Sequence, residues 1–363
     1  MSSRLVALAL CLAAAAGGAA EAARRPAVTR PGATAPRRAA PRRTARAFSG
    51  WRIEHDLKPV GGVLIGAPGQ FDAYYSSLTA QLPRHLKVFV AGKPEKLGPS
   101  AAGLDVEPIG KDFTMAMWSR DYAPFLVRGP GGKKRLVQFA HAKGSRELGQ
   151  ALADRLGIRL YQSPLSLEGG NLVADGEGNI FLSRVVLERN RKYPRARVER
   201  HLRHMLGARS VIWLDPLPDE ATGHVDIFMK YAGRVKGREV MVLSDSPDPA
   251  RHAVLERAAA RLQRRGYRVL RLMNHEAGGV PFSYAQAVLL TGAENVALVP
   301  SYAEPNLPDA VRADAERRDR QAQRLYRALG YRVIPLRARD LMKSGLGSAH
   351  CTIREIWSSA LED

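Results

Sequence analysis

Two stretches of this chain, GYRVLRL at 266–272 and GYRVIPL at 330–336, begin 64 residues apart, and each is the strand that follows a helix stopped by its own glycine. The surrounding grammar repeats as well. Asp248-Pro249 supplies a capping carboxylate and a proline at the first helical position, and Val254, Leu255, Ala258, Ala259 and Leu262 then fall on one helical stripe. Gly266 stops that helix; Asp309 opens the next, which runs to Leu329 before Gly330. Two apolar strands precede each helix: Val225 to Tyr231 with Glu239 to Ser244, then Gln286 to Thr291 with Asn295 to Pro300. An earlier copy has strands at Asn171 to Asp175 and Asn179 to Ser183, a helix from Pro194 to Leu206 and a strand at Ser210 to Leu214. Partial copies fit Gly62 to Ala91 and Phe113 to Tyr161. The unit is strand-strand-helix-strand, and repetition at this scale points to a radial or stacked array. Paired strands before each helix argue against a doubly wound sheet, and the interleaved helices against an all-β propeller. The expected class is α/β, an α/β propeller with one helix per blade. No GxGxxG or phosphate-loop pattern follows a strand, so nucleotide binding has no local support.

The N-terminus reads differently. Arg4, the apolar run Leu5 to Ala16 and the small residues around Gly17 to Ala23 form a secretory signal, expected over residues 1–23. Cys11 lies too early for lipid attachment, so ordinary cleavage is expected, with export to the periplasm or the exterior. No later segment approaches the ~20 apolar residues that a spanning helix needs. Residues 24–48 hold eight arginines, several prolines and no acid, the composition of an extended basic linker. The net charge is +21, of which residues 1–48 carry nine Arg less one Glu, or +8, leaving 21 − 8 = +13 on residues 49–363. That balance attracts anionic surfaces. Without a cluster of basic and aromatic residues it points to no specific nucleic-acid partner. The remaining residues, 49–363, are read as a single catalytic domain.

With Cys11 lost, Cys351 is the one cysteine of the mature chain. It has no internal disulfide partner and cannot build a cysteine-rich zinc site. Either it is inert core or it has a chemical use. Four places put polar residues where a plain turn or apolar strand is expected: WSRDYAP at 118–124, LEGGN at 167–171, GHVD at 223–226 and AHC at 349–351. Alternation along a strand places His224 and Asp226 on one face. Each motif alone has a structural explanation, such as a surface pair for Arg120 and Asp121 or a simple turn at EGG. Together they supply a thiol, an imidazole and several carboxylates. That set suits attack on an electrophilic carbon held as a cation. Carboxylates grip the planar N–H fork of a guanidinium through paired, charge-assisted hydrogen bonds.

In this order the four motifs resemble the guanidine-modifying superfamily, whose fold is the five-bladed α/β propeller called the pentein. The similarity is greatest to the branch joining agmatine deiminases with Porphyromonas-type peptidylarginine deiminases, and it covers residues 55 to 358. FSYAQ at 282–286 and NVALVPSY at 295–302 resemble the same branch. The resemblance implies a hydrolase that converts a guanidinium to a ureido group plus ammonia through a covalent cysteine intermediate. Cys351 is then the nucleophile and His224 the proton carrier. Asp121 and Asp226 hold the guanidinium, and Glu168 orients His224 or shares the grip. Trp118, Arg120, Gly169, Gly170 and Gln286 join Asp121 and Asp226 as substrate-contacting positions. No metal or organic cofactor is implied.

The sequence departs from the family pattern at Ser344 to Ala349 (SGLGSA), at Ala67-Pro68 and at Gln286, where an asparagine is expected. These are substrate-recognising positions, so the reaction type is better specified than the substrate. Agmatine, giving N-carbamoylputrescine, stands first, with the arginine side chain of a peptide as the alternative. The rivals are an amidinotransferase or dimethylarginine hydrolase of the same superfamily, an exported basic binding protein that has lost catalysis, and a metal site built from His224, Asp226 and Glu168.

Overall fold

The computed structural model describes residues 50–66, 71–110, 117–141, 145–345 and 347–362. The expected signal and linker, the Ala67-Pro68 position and Leu346 lie outside the described residues.

Five times over, a first strand pairs antiparallel with a second, a helix crosses over, and a third strand pairs parallel with the second on its other side. The first unit has strands Phe125–Arg128, Lys134–Ala140 and Leu160–Ser166 with helix Ser145–Arg155. The second has Val173–Ala174, Asn179–Ser183 and Ser210–Leu214 with helices Val185–Arg189 and Arg195–Leu206. Met229–Val235, Arg238–Asp245 and Arg268–Met273 with helix Pro249–Gln263 make the third. Val288–Leu290, Val296–Ser301 and Arg332–Arg337 with helix Asp309–Ala328 make the fourth. The fifth joins distant parts of the chain: Ile353–Trp357 pairs with Val60–Gly66, and helix Asp72–Gln81 leads to Lys87–Ala91. Arg52–Ile53 extends the first sheet and Asp105–Ile109 the fifth, and a hairpin joins His275–Ala277 to Val280–Phe282. Among the described residues no sheet closes on itself. The repeated unit read from the sequence is therefore present, and the partial copy at Gly62 to Ala91 is short of a strand because the chain supplies it 293 residues later, from Val60 to Ile353.

Burial explains why the middle strands read as unbroken apolar runs. Val240 to Leu243, Val63 to Ile65 and Ile180 to Leu182 are each fully buried, because a strand with a neighbour on each side and layers on both faces has no wet surface. Helix Pro249–Gln263 buries the expected stripe of Val254, Leu255, Ala258, Ala259 and Leu262.

Three expectations need correction. His224 and Asp226 do not sit on a strand: the strand starts at Met229, and residues 225–228 form a turn closed by Met229 N–H donating to the Val225 carbonyl at 2.9 Å. Asn171 belongs to a short 3-10 turn, Gly169–Asn171, so the strand that follows is only Val173–Ala174. Gln286 likewise ends a 3-10 turn, Tyr284–Gln286, and the strand begins at Val288. In each case the apolar alternation continues through residues whose backbone turns to bring polar side chains together.

Asp248 accepts a hydrogen bond from the Arg251 backbone N–H at 2.9 Å, as an N-cap does. Asp248→Ala should cost about 1 kcal/mol of stability, seen as a lowered urea midpoint with an unchanged slope; no loss would mean that Pro249 alone sets the helix start.

Candidate active site

The five first strands share one more feature. Each is entered through a tight turn: Ser119–Tyr122, Gly169–Asn171, residues 225–228, Tyr284–Gln286 and Ala349–Thr352. These turns carry or adjoin Asp121, Glu168 with Gly169-Gly170, His224 with Asp226, Gln286 and Cys351. Hydrogen bonds join them. The Gly170 N–H donates to Asp121 Oδ1 at 3.0 Å, and the Gly170 carbonyl accepts from the Asp226 N–H at 3.1 Å. His350 Nδ1 lies 2.6 Å from Asp226 Oδ2, and the Cys351 thiol donates to Gln286 Oε1 at 3.2 Å.

Gly170 marks the centre. A Cβ built there would fall 2.6 Å from His224 Nδ1, 2.9 Å from Asp121 Oδ1 and 3.1 Å from Asp226 Oδ1. Three polar atoms thus converge on one point, too closely for any side chain at position 170. Gly169 is required for a different reason, since a Cβ there would meet the Arg120 carbonyl at 1.9 Å. Asp226 is fully buried, and among the described residues its Oδ1 has no hydrogen-bond partner. His224 is 2% exposed and directs Nε2 at Glu168 Oε2, 2.6 Å away.

The charges settle unequally. Burial alone lowers the basicity of His224, but the Asp121 charge and the Glu168 hydrogen bond outweigh it and raise the imidazole to about 10. Burial raises Asp121 to about 7; the His224 charge opposes this and the Glu168 and Asp226 charges add to it. Glu168 goes the other way. Despite burial, the hydrogen bond from His224 and the charges of His224, Arg189 and His141 hold it well below the usual carboxylate range. Burial pushes the Cys351 thiol up, and the Asp226 and Asp121 charges push it further. The sulfur is therefore close enough to both acids to feel them.

Three expected contacts take other roles. The Arg120 and Asp121 pair is not on the surface: Arg120 is 1% exposed, ion-paired with Glu355 and 3.5 Å from Asp56, and its Nε donates to the His350 carbonyl at 3.4 Å. With its fork consumed by the frame it is not presented to a substrate. Trp118 is buried against Gly347, where an added Cβ would sit 2.4 Å from its ring. Glu168 is saturated, with Arg189 and His224 on Oε2 and His141 Nδ1 3.6 Å from Oε1. Among the described residues, no three His, Cys, Asp or Glu side chains are placed to hold a metal ion, and no helix is long and apolar enough to cross a membrane.

Sequence reasoning gave no role to Arg189, His141, Asp56, Glu355 or His350. Glu355 carried a signal, an acid inside the apolar run IREIW whose side chain is 1% exposed. The others lie in stretches where polar residues are ordinary.

Residues 71–356 match the model of the Porphyromonas-type peptidyl-arginine deiminase family. Two proteins named "Putative agmatine deiminase" are similar to parts of the chain. One, from Vibrio parahaemolyticus, is 29% identical over 39% of this chain and 44% of its own length; the other, from Streptomyces avermitilis, is 30% identical over 41% and 47%. The chain spans less than half the length of these curated relatives. Among solved structures, Campylobacter jejuni agmatine deiminase with substrate bound superposes with a TM-score of 0.67 at 17% identity, covering 85% of this chain and 96% of that one. Agmatine deiminase of Enterococcus faecalis gives 0.64 at 18% identity, over 84% and 95%. At these identities the likeness is one of fold.

Because its neighbours raise the thiol, Cys351 should react slowly with neutral iodoacetamide at pH 7.5, with the rate climbing only well above pH 9. Asp226→Asn removes one of the charges that raise it, so the labelling curve should move to lower pH. A curve unmoved by that change would separate the sulfur from this acid.

Proposed function

The chain belongs to the Porphyromonas-type peptidyl-arginine deiminase family, and from that membership we propose that it hydrolyses a guanidinium to a ureido group and ammonia through a covalent intermediate on Cys351. The observation that carries the proposal is the point above Gly170 where His224 Nδ1, Asp121 Oδ1 and Asp226 Oδ1 converge within 2.6–3.1 Å, inside the field felt by the thiol. The two carboxylate oxygens of that arrangement match a flat cation with several N–H donors. At an effective dielectric of ~20, each carboxylate ~4 Å from the cation contributes roughly 4 kcal/mol before desolvation, so the neutral ureido product is held more weakly than the substrate.

In this reading Asp121 and Asp226 fix the guanidinium carbon in front of the sulfur. Entry of the cation offsets the acids that hold the thiol protonated, and the thiol proton is lost to solvent. The thiolate attacks the carbon, the C–N bond breaks, and the His224 imidazolium gives its proton to the departing ammonia. A water then attacks the thiouronium carbon, giving one proton to His224; the C–S bond breaks, the thiolate returns, and the remaining hydroxyl proton is lost to solvent as the ureido carbonyl forms. Glu168 orients His224 through the 2.6 Å contact at Nε2. We further propose that the five sheets stand radially as a five-bladed propeller, which accounts for five turns converging at one place.

Agmatine is the preferred substrate because the named relatives lean that way. The family description favours peptidyl arginine as the second reading. An ammonia-release screen over agmatine, free arginine and arginine-containing peptides decides between them, with the ureido product assayed alongside. Cys351→Ser should lower turnover by at least ~10³-fold with folding intact; ammonia release retained by that variant would sink the cysteine mechanism. Asp121→Asn should raise KM at least tenfold, and an unchanged KM would remove Asp121 from the grip.

A further inference from the structure

We propose that His350 is a positioning residue whose imidazole locks one oxygen of Asp226 so that the other is presented to the bound cation. The inference rests on the reading above, in which Asp226 grips a guanidinium, and it adds how that grip is held in register.

The carboxylate of Asp226 is divided between two surroundings. Oδ2 lies 2.6 Å from His350 Nδ1, while Oδ1 is buried, has no partner and faces the point above Gly170. An ionised carboxylate only accepts, so the hydrogen of that contact belongs to His350 Nδ1. Without it, a buried carboxylate with both oxygens unpaired is costly and free to rotate about its own bond. His350 is itself held. Its carbonyl accepts from Arg120 Nε at 3.4 Å, its Nε2 faces Asp56 Oδ2 at 3.6 Å, and Arg120 is anchored by Glu355 on strand Ile353–Trp357 and by Asp56. His350 and its side chain are 1% and 2% exposed, out of reach of a substrate.

Position in the chain gives the clamp its purpose. His350 immediately precedes Cys351, and Arg120 immediately precedes Asp121. Successive residues in a helical or 3-10 turn point about 100–120° apart, so in each dipeptide one side chain turns into the frame and the next turns toward the cluster around Gly170. The Arg120–His350 link therefore ties the turn bearing the thiol to the turn bearing one gripping acid, and His350–Asp226 ties it to the other.

The test compares three replacements in the full chain. An asparagine carries its amide nitrogen at the place of Nδ1, a glutamine at the place of Nε2, and a leucine has no donor. Two measurements are made on each: steady-state deimination, and the rate at which Cys351 is labelled by cationic 2-chloroacetamidine relative to neutral iodoacetamide. His350→Leu and His350→Gln should raise KM at least tenfold with kcat changed less. They should also lower the cationic-to-neutral labelling ratio at least tenfold while the iodoacetamide rate stays within about threefold. His350→Asn should recover both to within about threefold of the native chain. Equal behaviour of asparagine and glutamine, or a parallel fall in both labelling rates, would overturn the proposal, since His350 would then serve only the cysteine turn. If His350→Leu fails to fold, the asparagine and glutamine pair still decides. A native chain that turns over no guanidine yet shows the expected labelling pattern would sink the hydrolase reading and leave the clamp standing.

Discussion

Everything at this site depends on three carboxylates drawn largely out of water, Asp226 wholly and Asp121 and Glu168 in great part. Asp121, Glu168 and Asp226 gather around one imidazole and one thiol, and moving an unpaired carboxylate out of water costs several kcal/mol even after relaxation. The structure meets that cost differently for each acid. Glu168 is fully compensated by His224, Arg189 and His141 and stays ionised. Asp226 is compensated on one oxygen by His350. Asp121 receives one backbone N–H and a distant imidazole at 3.6 Å, and rises to about 7. The compensation is incomplete on the side that faces the point above Gly170. A cation placed there completes it.

The repeated topology is what makes such a gathering affordable in conformational terms. Each unit delivers its polar residue on a tight turn just ahead of a buried strand, so the side chain's position is fixed by a layer that cannot shift without opening the core. The helices add support from behind. On helix Asp309–Ala328, buried Asp319 takes the Tyr284 hydroxyl at 2.7 Å and Tyr326 donates to the Tyr284 carbonyl at 2.9 Å. The turn that sets Gln286 beside the thiol is thereby held from outside the site. Cys351 owes its place to the pairing of Ile353–Trp357 with Val60–Gly66, the longest-range strand contact in the chain.

That pairing also shows where sequence reasoning stops. Helix ends were legible at Asp248 and Gly266 because caps and glycine stops act within a few residues. Central strands such as Arg238–Asp245 and Asn179–Ser183 were legible because burial on both faces leaves a continuous apolar run. The strand completing the fifth unit was not, because no local pattern says which distant strand it joins. Among polar residues, the motifs identified Asp121, Glu168, His224, Asp226 and Cys351 as a group. They set Arg120 beside Asp121 as a substrate contact and left His350 without a role, since Arg120-Asp121 and His350-Cys351 are both polar pairs and only backbone direction assigns their faces. His224 and Asp226 were placed correctly beside each other for an incorrect reason, strand alternation instead of a turn.

The raised thiol bears on how an unpaired cysteine such as Cys351 survives. The thiolate is the species that attacks electrophiles and is oxidised, and here burial and two acids suppress it. A neutral molecule does nothing to relieve that suppression. A guanidinium does, because the same carboxylates that raise the thiol are those the cation neutralises. In the reaction proposed, recognition and activation are then one electrostatic event: the sulfur becomes nucleophilic when its target is in place. The geometry that achieves this needs the carboxylates unsatisfied on the side of Gly170 and rigid behind it, and for that reason the frame side of the cluster is so heavily bonded while Asp226 Oδ1 is left bare.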